Sequence, residues 1–221
     1  MKNLNISIFI LFLSSFLFGC EEDKIPITHL DSYLKLFSQD YDNVIKSVEG
    51  SEFSNISKYG KYGISVYTIT YKTTYLGNEI VASGLVSFPN TDDPIPMLSF
   101  QHGTESRHSD APTDNLVTYS FFSNAASLGY IFLMPDFLGF GSSKHILHPY
   151  YRSDIIGNTI VDMLKAVREL ARIEDYNFNE KVFLAGYSEG GFATMATHKI
   201  LEEKKPQGFN LVASAPAAGG Y

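Results

Sequence analysis

Hydrophobic and polar residues follow two different rhythms in the first half of the chain. Apolar residues at spacings of three and four predict one face of a helix that ends at Gly50: Leu30, Leu34, Phe37, Tyr41, Val44 and Val48. Residues 64–75 and 80–88 are instead rich in β-branched and aromatic side chains, with Gly77-Asn78 between them. This second pattern predicts an antiparallel hairpin.

The rest of the chain alternates between short apolar runs and longer amphipathic stretches. Strands are predicted over the apolar runs 97–100, 130–134, 182–185 and 211–214. Helices are predicted between them, over residues 114–128 and 155–170 and in a third stretch that ends near Lys204. Asp114 is the expected cap of the first of these helices, and Gly129 is its expected stop.

These elements together predict the fold class. Short strands without polar alternation are buried on both faces of a sheet, and helices between them are typical of parallel pairing. We therefore expect an α/β fold, with a mostly parallel sheet flanked by helices and an antiparallel hairpin at its N-terminal side. In such sheets the chemistry sits in loops at the carboxyl ends of the strands.

The strongest chemical motif follows the run 182–185. It reads Gly186-Tyr187-Ser188-Glu189-Gly190-Gly191, a G-x-S-x-G pattern between a predicted strand and a predicted helix. A strand that reverses directly into a helix brings Gly186 and Gly190 close together, so both must lack a side chain. Ser188 would then lie in a strained turn beside a helix N-terminus, which favours negative charge. Ser188 is the candidate nucleophile, and a purely structural Gly-Ser turn is the alternative.

Acyl transfer also needs N–H groups that bind the developing oxyanion. The backbone N–H of Glu189, directly after the serine, is one candidate donor, and Gly103 or Thr104 in an earlier strand–helix loop is the other. His102 in that loop is interpreted as a residue that orients the loop through backbone hydrogen bonds. Asp136, at the start of a glycine-containing loop, is likewise expected to hold a turn rather than to take part in chemistry.

These motifs resemble the α/β-hydrolase superfamily and, within it, the bacterial and fungal secretory-lipase group. The resemblance covers about residues 60–221 and rests on the segments 86–89, 101–104, 135–141, 186–191 and 215–220. Prolyl-peptidase-like and carboxylesterase members share these elements. The resemblance implies that Ser188 is the nucleophile, that Glu189 with Gly103 or Thr104 forms the oxyanion hole, and that no metal or organic cofactor takes part.

A serine nucleophile also needs a base and a carboxylate, which in this fold follow it in chain order. The only histidine after Ser188 is His198, which lies about 15 Å along a helix that leads away from the site. The later carboxylates all lie on the turn or on that helix: Glu189, Glu202 and Glu203. Upstream histidines could line a substrate pocket, and one could act as an unusual base: His108, His145 and His148.

This order leads to an expectation about the extent of the domain. We expect residues 29–221 to be an incomplete α/β-hydrolase domain that is close to inactive by itself, with the triad Asp and His beyond residue 221. A natural pseudoenzyme is the alternative.

The N-terminus has the features of an export signal. A basic Lys2, an apolar run and small residues end at Gly19-Cys20, so residues 1–19 are expected to be a signal peptide. Residues 17–20 resemble the lipobox of bacterial lipoproteins, apart from Phe18 where a small residue is usual. The resemblance implies a lipid on Cys20 and a membrane anchor in the cell envelope, at the outer membrane or cell surface. A plain signal peptide is the alternative, and residues 20–28 are expected to be a solvated tether.

Composition limits the remaining function classes. With 17 basic and 24 acidic residues, the formal net charge of −7 disfavours nucleic-acid binding. A single Cys excludes a disulfide framework and a Cys-based zinc site. We therefore expect a serine hydrolase that cleaves carboxylic esters of lipids or acylglycerols. A peptidase, a carboxylesterase for small substrates and a noncatalytic envelope lipoprotein are the alternatives.

Aromatic residues near the predicted site could contact an acyl group. We nevertheless expect most of them to belong to the core: Phe121, Phe122, Phe137, Phe140, Tyr150 and Tyr151.

Overall fold

The structure is a computed structural model that describes residues 28–51 and 54–221. Its strands form one seven-stranded sheet in the order β1-β2-β3-β5-β4-β6-β7. The strand bounds are β1 Leu30–Gln39, β2 Ile64–Tyr75, β3 Asn78–Pro89, β4 Ile95–Gln101, β5 Ile131–Pro135, β6 Phe178–Tyr187 and β7 Asn210–Ala217. Strands β4, β5, β6 and β7 are parallel to one another. The pairs β1–β2, β2–β3 and β3–β5 are antiparallel. The predicted α/β fold with an N-terminal antiparallel hairpin is confirmed.

Helices cover both faces of this sheet. The α-helices are α1 Tyr41–Val48, α2 Asn55–Tyr59, α3 Leu116–Ser123, α4 Ser153–Ile173 and α5 Glu189–Lys204, with short 3₁₀ turns at His108–Asp110, Asn124–Leu128 and Gly141–Ser143. Apolar residues of α4 and α5 pack against one face in the larger core cluster, and α1, α2 and α3 contribute to a second cluster with β2, β3 and β5. Because β4, β5 and β6 are parallel, the loops at their carboxyl ends lie along one edge of the sheet.

The predicted hairpin is formed by β2 and β3. Tyr75 pairs with Asn78, so the turn residues are Leu76 and Gly77, which both have positive φ values of 49° and 83°. Asn78 thus begins β3 instead of lying in the turn. Two central residues with positive φ are typical of the tight turn that matches strand twist.

The helix predicted from Leu30 onward is wrong for its first ten residues. Residues Leu30–Gln39 form the edge strand β1, which pairs antiparallel with β2, and the helix α1 begins only at Tyr41 behind the cap Asp40. Two register shifts interrupt β1, one near Ser32 and one near Phe37. Leu34 and Phe37 are exposed on this edge strand, so their helix-like spacing does not mark a shared buried face.

The second helix prediction also needs correction. Asp114 is exposed and is not the cap, because Asn115 accepts a hydrogen bond from the N–H of Thr118 at 3.3 Å. The α-helix ends at Ser123, and the chain continues as a 3₁₀ turn to Leu128. Gly129 closes this turn with a φ of 92°, in the role predicted for it.

The two ends of the described sheet also differ from expectation. Strand β7 was expected to be buried, but its residues are half-buried or exposed. Thr28, expected at the end of a solvated tether, is fixed by Glu169, which accepts hydrogen bonds from its N–H and hydroxyl at 2.9 and 3.1 Å. The predicted signal peptide, Cys20 and most of the tether lie outside the described residues.

Candidate active site

Ser188 lies at the turn between β6 and α5, with φ 56° and ψ −122°. A non-glycine residue rarely adopts this backbone conformation, and it persists only where the surroundings enforce it. The N–H of Ser188 donates a hydrogen bond to the carbonyl of Ala217 at 2.9 Å, which ties the turn to the end of β7. Ser188 is half-buried, directly before the first turn of α5.

Two glycines make this sharp turn possible. A Cβ on Gly186 would overlap the carbonyl oxygen of Gly190, and a Cβ on Gly190 would overlap the carbonyl oxygen of Gln101. Gln101 ends strand β4, so the turn after β6 packs directly on the neighbouring strand. These close backbone contacts give the physical reason for both glycines of the motif.

The candidate oxyanion donors lie on two adjacent loops. Glu189 is the first residue of α5, where backbone N–H groups have no partner within the helix. Gly103 follows β4 and approaches the nucleophile, since a Cβ built on it would lie 3.8 Å from Ser188 Cβ and 3.6 Å from the carbonyl oxygen of Tyr187. Thr104 is exposed, and its hydroxyl lies 3.2 Å from the hydroxyl of Tyr150. The oxyanion roles of these three residues remain predictions.

His102 and Asp136 hold the loops around the site. His102 is buried, its Nδ1 donates to the carbonyl of Gly103 at 2.7 Å, and its ring lies 4.4 Å from that of Phe137. Asp136 is fully buried and accepts hydrogen bonds from the Ser83 hydroxyl at 2.5 Å and from the N–H and hydroxyl of Thr113 at 2.9 and 2.5 Å. Burial raises the pKa of Asp136, and these hydrogen bonds offset part of that rise. Both side chains thus have the structural contacts that the sequence analysis expects.

A buried ion pair adjoins the nucleophile and was missed from the sequence. The Glu189 side chain is 1% exposed, and its Oε1 lies 2.5 Å from His148 Nε2. His148 Nδ1 donates to the carbonyl of Leu138 at 2.6 Å. Burial lowers the pKa of His148, but the hydrogen bonds to Glu189 and Leu138 and the Glu189 charge outweigh it, so the pKa lies above its usual value. The two residues are 41 positions apart, and no local pattern links them.

Three of the candidate histidines make their contacts with groups other than Ser188, and the fourth, His145, is exposed. His148 has both ring nitrogens engaged by other groups, and His108 packs edge-on against Phe140 with ring centroids 5.7 Å apart. His198 on α5 contacts Ser214 at 2.9 Å and Glu202 at 3.2 Å. Across residues 28–51 and 54–221, no hydrogen bond involves the Ser188 hydroxyl. The described residues therefore contain the turn and candidate donors without a base in contact with the serine.

The aromatic residues divide between core and surface. Phe137 and Phe140 are buried in a small cluster with residues of α4 and α5, and Phe121 and Phe122 pack against the second core cluster. Tyr150 is 52% exposed, and Tyr151 stacks on Phe192 with ring centroids 4.5 Å apart. The aromatic surface beside the site is thus formed mainly by Tyr150, Tyr151 and Phe192.

Among residues 28–51 and 54–221, no group of three or more His, Cys, Asp or Glu side chains is placed to hold a metal ion. No helix among those residues is both long and apolar enough to cross a membrane.

Comparison with known proteins supports the same superfamily. Residues 117–217 match the Prolyl oligopeptidase family. A solved structure from Legionella pneumophila subsp. pneumophila, whose hydrolase assignment is itself provisional, is 32% identical with a TM-score of 0.79, and the match covers 87% of this chain and 53% of that one. The rice cell wall degrading esterase LipA from Xanthomonas oryzae is 29% identical with a TM-score of 0.76, and the match covers 86% and 50% of the two chains.

A more distant likeness concerns the fold alone. Lipase A from Candida antarctica, in its closed state, is 18% identical with a TM-score of 0.58, over 86% of this chain and 41% of that one. No curated protein matches the chain. The chain thus spans about half the length of the first two of these solved structures. The strand order, the strained turn at Ser188 and these likenesses together establish an α/β-hydrolase fold and support the α/β-hydrolase superfamily.

Proposed function

We propose that this protein is a serine hydrolase that cleaves carboxylic esters through an acyl-enzyme on Ser188. The observation that carries the proposal is the conformation of Ser188, which is strained at the tip of a strand-to-helix turn. Such strain is retained where the surrounding structure enforces it, and it is concentrated at functional sites. Here it presents a hydroxyl at the N-terminus of α5, where negative charge is favoured.

The proposed reaction has two steps. The Ser188 oxygen attacks the acyl carbonyl, its proton passes to a base, and the collapsing tetrahedral intermediate releases the alcohol and leaves the acyl group on the serine. Water then attacks this ester and releases the acid. In both steps the N–H of Glu189, with that of Gly103 or Thr104, would bind the oxyanion. Since His102, His108, His148 and His198 contact groups other than the Ser188 hydroxyl, we propose that none of these four is the base.

The proposed substrates are esters with apolar acyl groups, such as acylglycerols. Tyr150, Tyr151 and Phe192 offer an aromatic surface that adjoins Thr104, and transfer of an apolar chain from water to such a surface is favourable. The likeness to an esterase structure at 29% identity supports the ester class.

A peptidase is the second candidate, because residues 117–217 match the Prolyl oligopeptidase family. Both activities would use the same serine and the same oxyanion donors, so only the leaving group separates them. An envelope location through a lipid on Cys20 is a further part of the proposal, and it rests on the lipobox-like residues 17–20.

A direct test uses the full-length protein as its gene encodes it. Hydrolysis of p-nitrophenyl esters with two to sixteen acyl carbons is compared with cleavage of proline-containing p-nitroanilides. We expect turnover of esters that Ser188→Ala abolishes and little amide cleavage. Faster cleavage of the p-nitroanilides would favour the peptidase, and equal ester turnover by Ser188→Ala would contradict the proposed function.

A further inference from the structure

The buried side chain of Glu189 poses an electrostatic problem for the proposed site. Its backbone N–H is a candidate donor to the oxyanion, and the carboxylate of the same residue is almost completely buried in the protein. An uncompensated negative charge at this place would oppose a second negative charge on the substrate oxygen, because water cannot screen the two. A reaction that builds an oxyanion here therefore requires that the carboxylate be neutralised.

His148 has the contacts needed for this neutralisation. A carbonyl can only accept, so the 2.6 Å contact with Leu138 requires a proton on His148 Nδ1. The second nitrogen, Nε2, then shares one proton with Glu189 Oε1 across 2.5 Å. Whichever of the two atoms holds that proton, the pair as a whole carries no net charge.

The loop after β5 fixes His148 in this position. The His148 ring lies 6.1 Å from the Phe137 ring in a stacked arrangement and packs edge-on against Phe140 at 5.1 Å. Gly139 has a φ of 91°, and a Cβ on it would overlap the backbone of His148. Because its ring and backbone are both packed, His148 has little freedom to leave Glu189.

We propose that His148 is a positioning residue, which holds the Glu189 side chain in a charge-neutral pair so that the adjacent backbone N–H can bind the oxyanion. This inference rests on the hydrolase function proposed above. It assigns His148 no contact with substrate and no role as the base for Ser188. Its effect is exerted through the charge of Glu189, and this separates it from a role in packing alone.

The test is a double-mutant cycle in the full-length protein, with kcat and KM measured on one p-nitrophenyl ester. His148→Gln keeps a polar side chain but leaves Glu189 unneutralised, and we expect kcat to fall about 10- to 100-fold with KM changed less than about threefold. In the Glu189→Gln background the carboxylate is gone, so His148→Gln should lower kcat by less than about threefold. A purely structural role predicts the same loss in both backgrounds and would overturn the proposal.

A matched control lies on α5, the helix that begins at Glu189. His198→Gln removes another histidine–glutamate contact, that with Glu202 at 3.2 Å, at a place remote from the turn, and kcat should stay within about twofold. If His148→Gln alone does not fold, the comparison is made between Glu189→Gln and the double variant Glu189→Gln/His148→Gln. A tenfold difference in kcat between these two variants overturns the proposal.

The cycle also separates this inference from the function on which it depends. An unmodified protein that neither hydrolyses esters nor reacts with a fluorophosphonate at Ser188 overturns both. An active protein whose His148→Gln variant keeps its kcat overturns the role of His148 alone.

Discussion

Gly190 lies so close to the carbonyl oxygen of Gln101 that a Cβ on this glycine would overlap that oxygen. Neither group can move easily, because Gln101 ends β4 in the middle of the sheet and Gly190 belongs to the first turn of α5. The turn that presents Ser188 thus depends on direct backbone contact between a helix and its neighbouring strand.

The first prediction concerns this contact. Gly190→Ala should lower the free energy of unfolding by about 3 kcal/mol or more, because two backbone segments would have to separate. Urea denaturation measures the change. Gly103→Ala is the matched control, since a Cβ there meets only ordinary contacts of 3.6 Å and longer, and it should cost less than about 1 kcal/mol. Equal stability of Gly190→Ala and the parent protein would contradict the described turn.

The second prediction concerns Glu169, which fixes the start of β1. Its buried carboxylate accepts hydrogen bonds from the N–H groups of Thr28, His29 and Leu30 at 2.9, 3.0 and 2.7 Å. Burial raises the pKa of Glu169, but these N–H donors outweigh it, and the pKa lies below its ordinary value of 4.5. Glu169→Gln should therefore cost about 1–3 kcal/mol at pH 7, because an amide N–H₂ would face backbone donors.

The stabilisation contributed by Glu169 should depend on pH in a defined direction. A carboxylate whose pKa is lowered in the folded state stabilises fully above its unfolded value near 4.5, and this contribution disappears as the pH falls through the lower folded value. The difference in the free energy of unfolding between the parent protein and Glu169→Gln should thus be constant above about pH 5.5 and shrink below pH 4.5. Glu203→Gln, at an exposed site on α5, is the control and should show no such gap. A gap that widens in acid would contradict the assignment.

A third prediction distinguishes Asp136 from Asp114, the residue that follows its hydrogen-bond partner Thr113. Asp136→Ala leaves the N–H of Thr113 and two hydroxyls without their buried acceptor and should cost about 1–3 kcal/mol. Asp136→Asn should cost less, because the Ser83 and Thr113 hydroxyls can rotate to accept from the new amide. Asp114 is exposed, so Asp114→Ala should be nearly neutral. Thermal melts compare the three variants, and equal losses for Asp136→Ala and Asp114→Ala would refute this account of Asp136.

The fold could be predicted where local pattern and tertiary context agree. The apolar runs of β4, β5 and β6 can be recognised without knowing which strands they pair with, because burial on both faces of a sheet produces a continuous hydrophobic run. The edge strand β1 could not be predicted, because its exposed Leu34 and Phe37 fall at helix-like spacing and its conformation is decided by pairing with β2.

The same division applies to the site. The turn around Ser188 is local, and its glycine spacing follows from the backbone geometry of a strand that reverses into a helix. The His148–Glu189 pair joins residues 41 positions apart through the tertiary fold, and neither residue carries a sequence signal for the other. From the sequence, Glu189 is a candidate N–H donor and one of the carboxylates after Ser188, and the burial of its side chain is visible only in the structure.

The fourth prediction concerns the N-terminus, which lies outside the described residues. If Cys20 is lipidated, the envelope-bound protein should have a diacylglyceryl-modified N-terminus at that residue, as measured by mass spectrometry. Cys20→Ser removes the only thiol in the sequence and should abolish incorporation of labelled fatty acid. An intact N-terminus, or cleavage at another position, would refute the anchor without affecting the proposed chemistry.

The most direct test of the central claim is to map the site at which a fluorophosphonate reacts with the full-length protein. These reagents modify a serine hydroxyl that a catalytic site has activated. Peptide mass spectrometry should locate the adduct on Ser188, and Ser188→Ala should not react. Ser214→Ala is the control, since this serine, unlike Ser188, has a histidine nitrogen at 2.9 Å, and the variant should react as the parent protein does. An adduct on Ser214 or on any other serine, or undiminished labelling of Ser188→Ala, would contradict the assignment of Ser188 as the nucleophile.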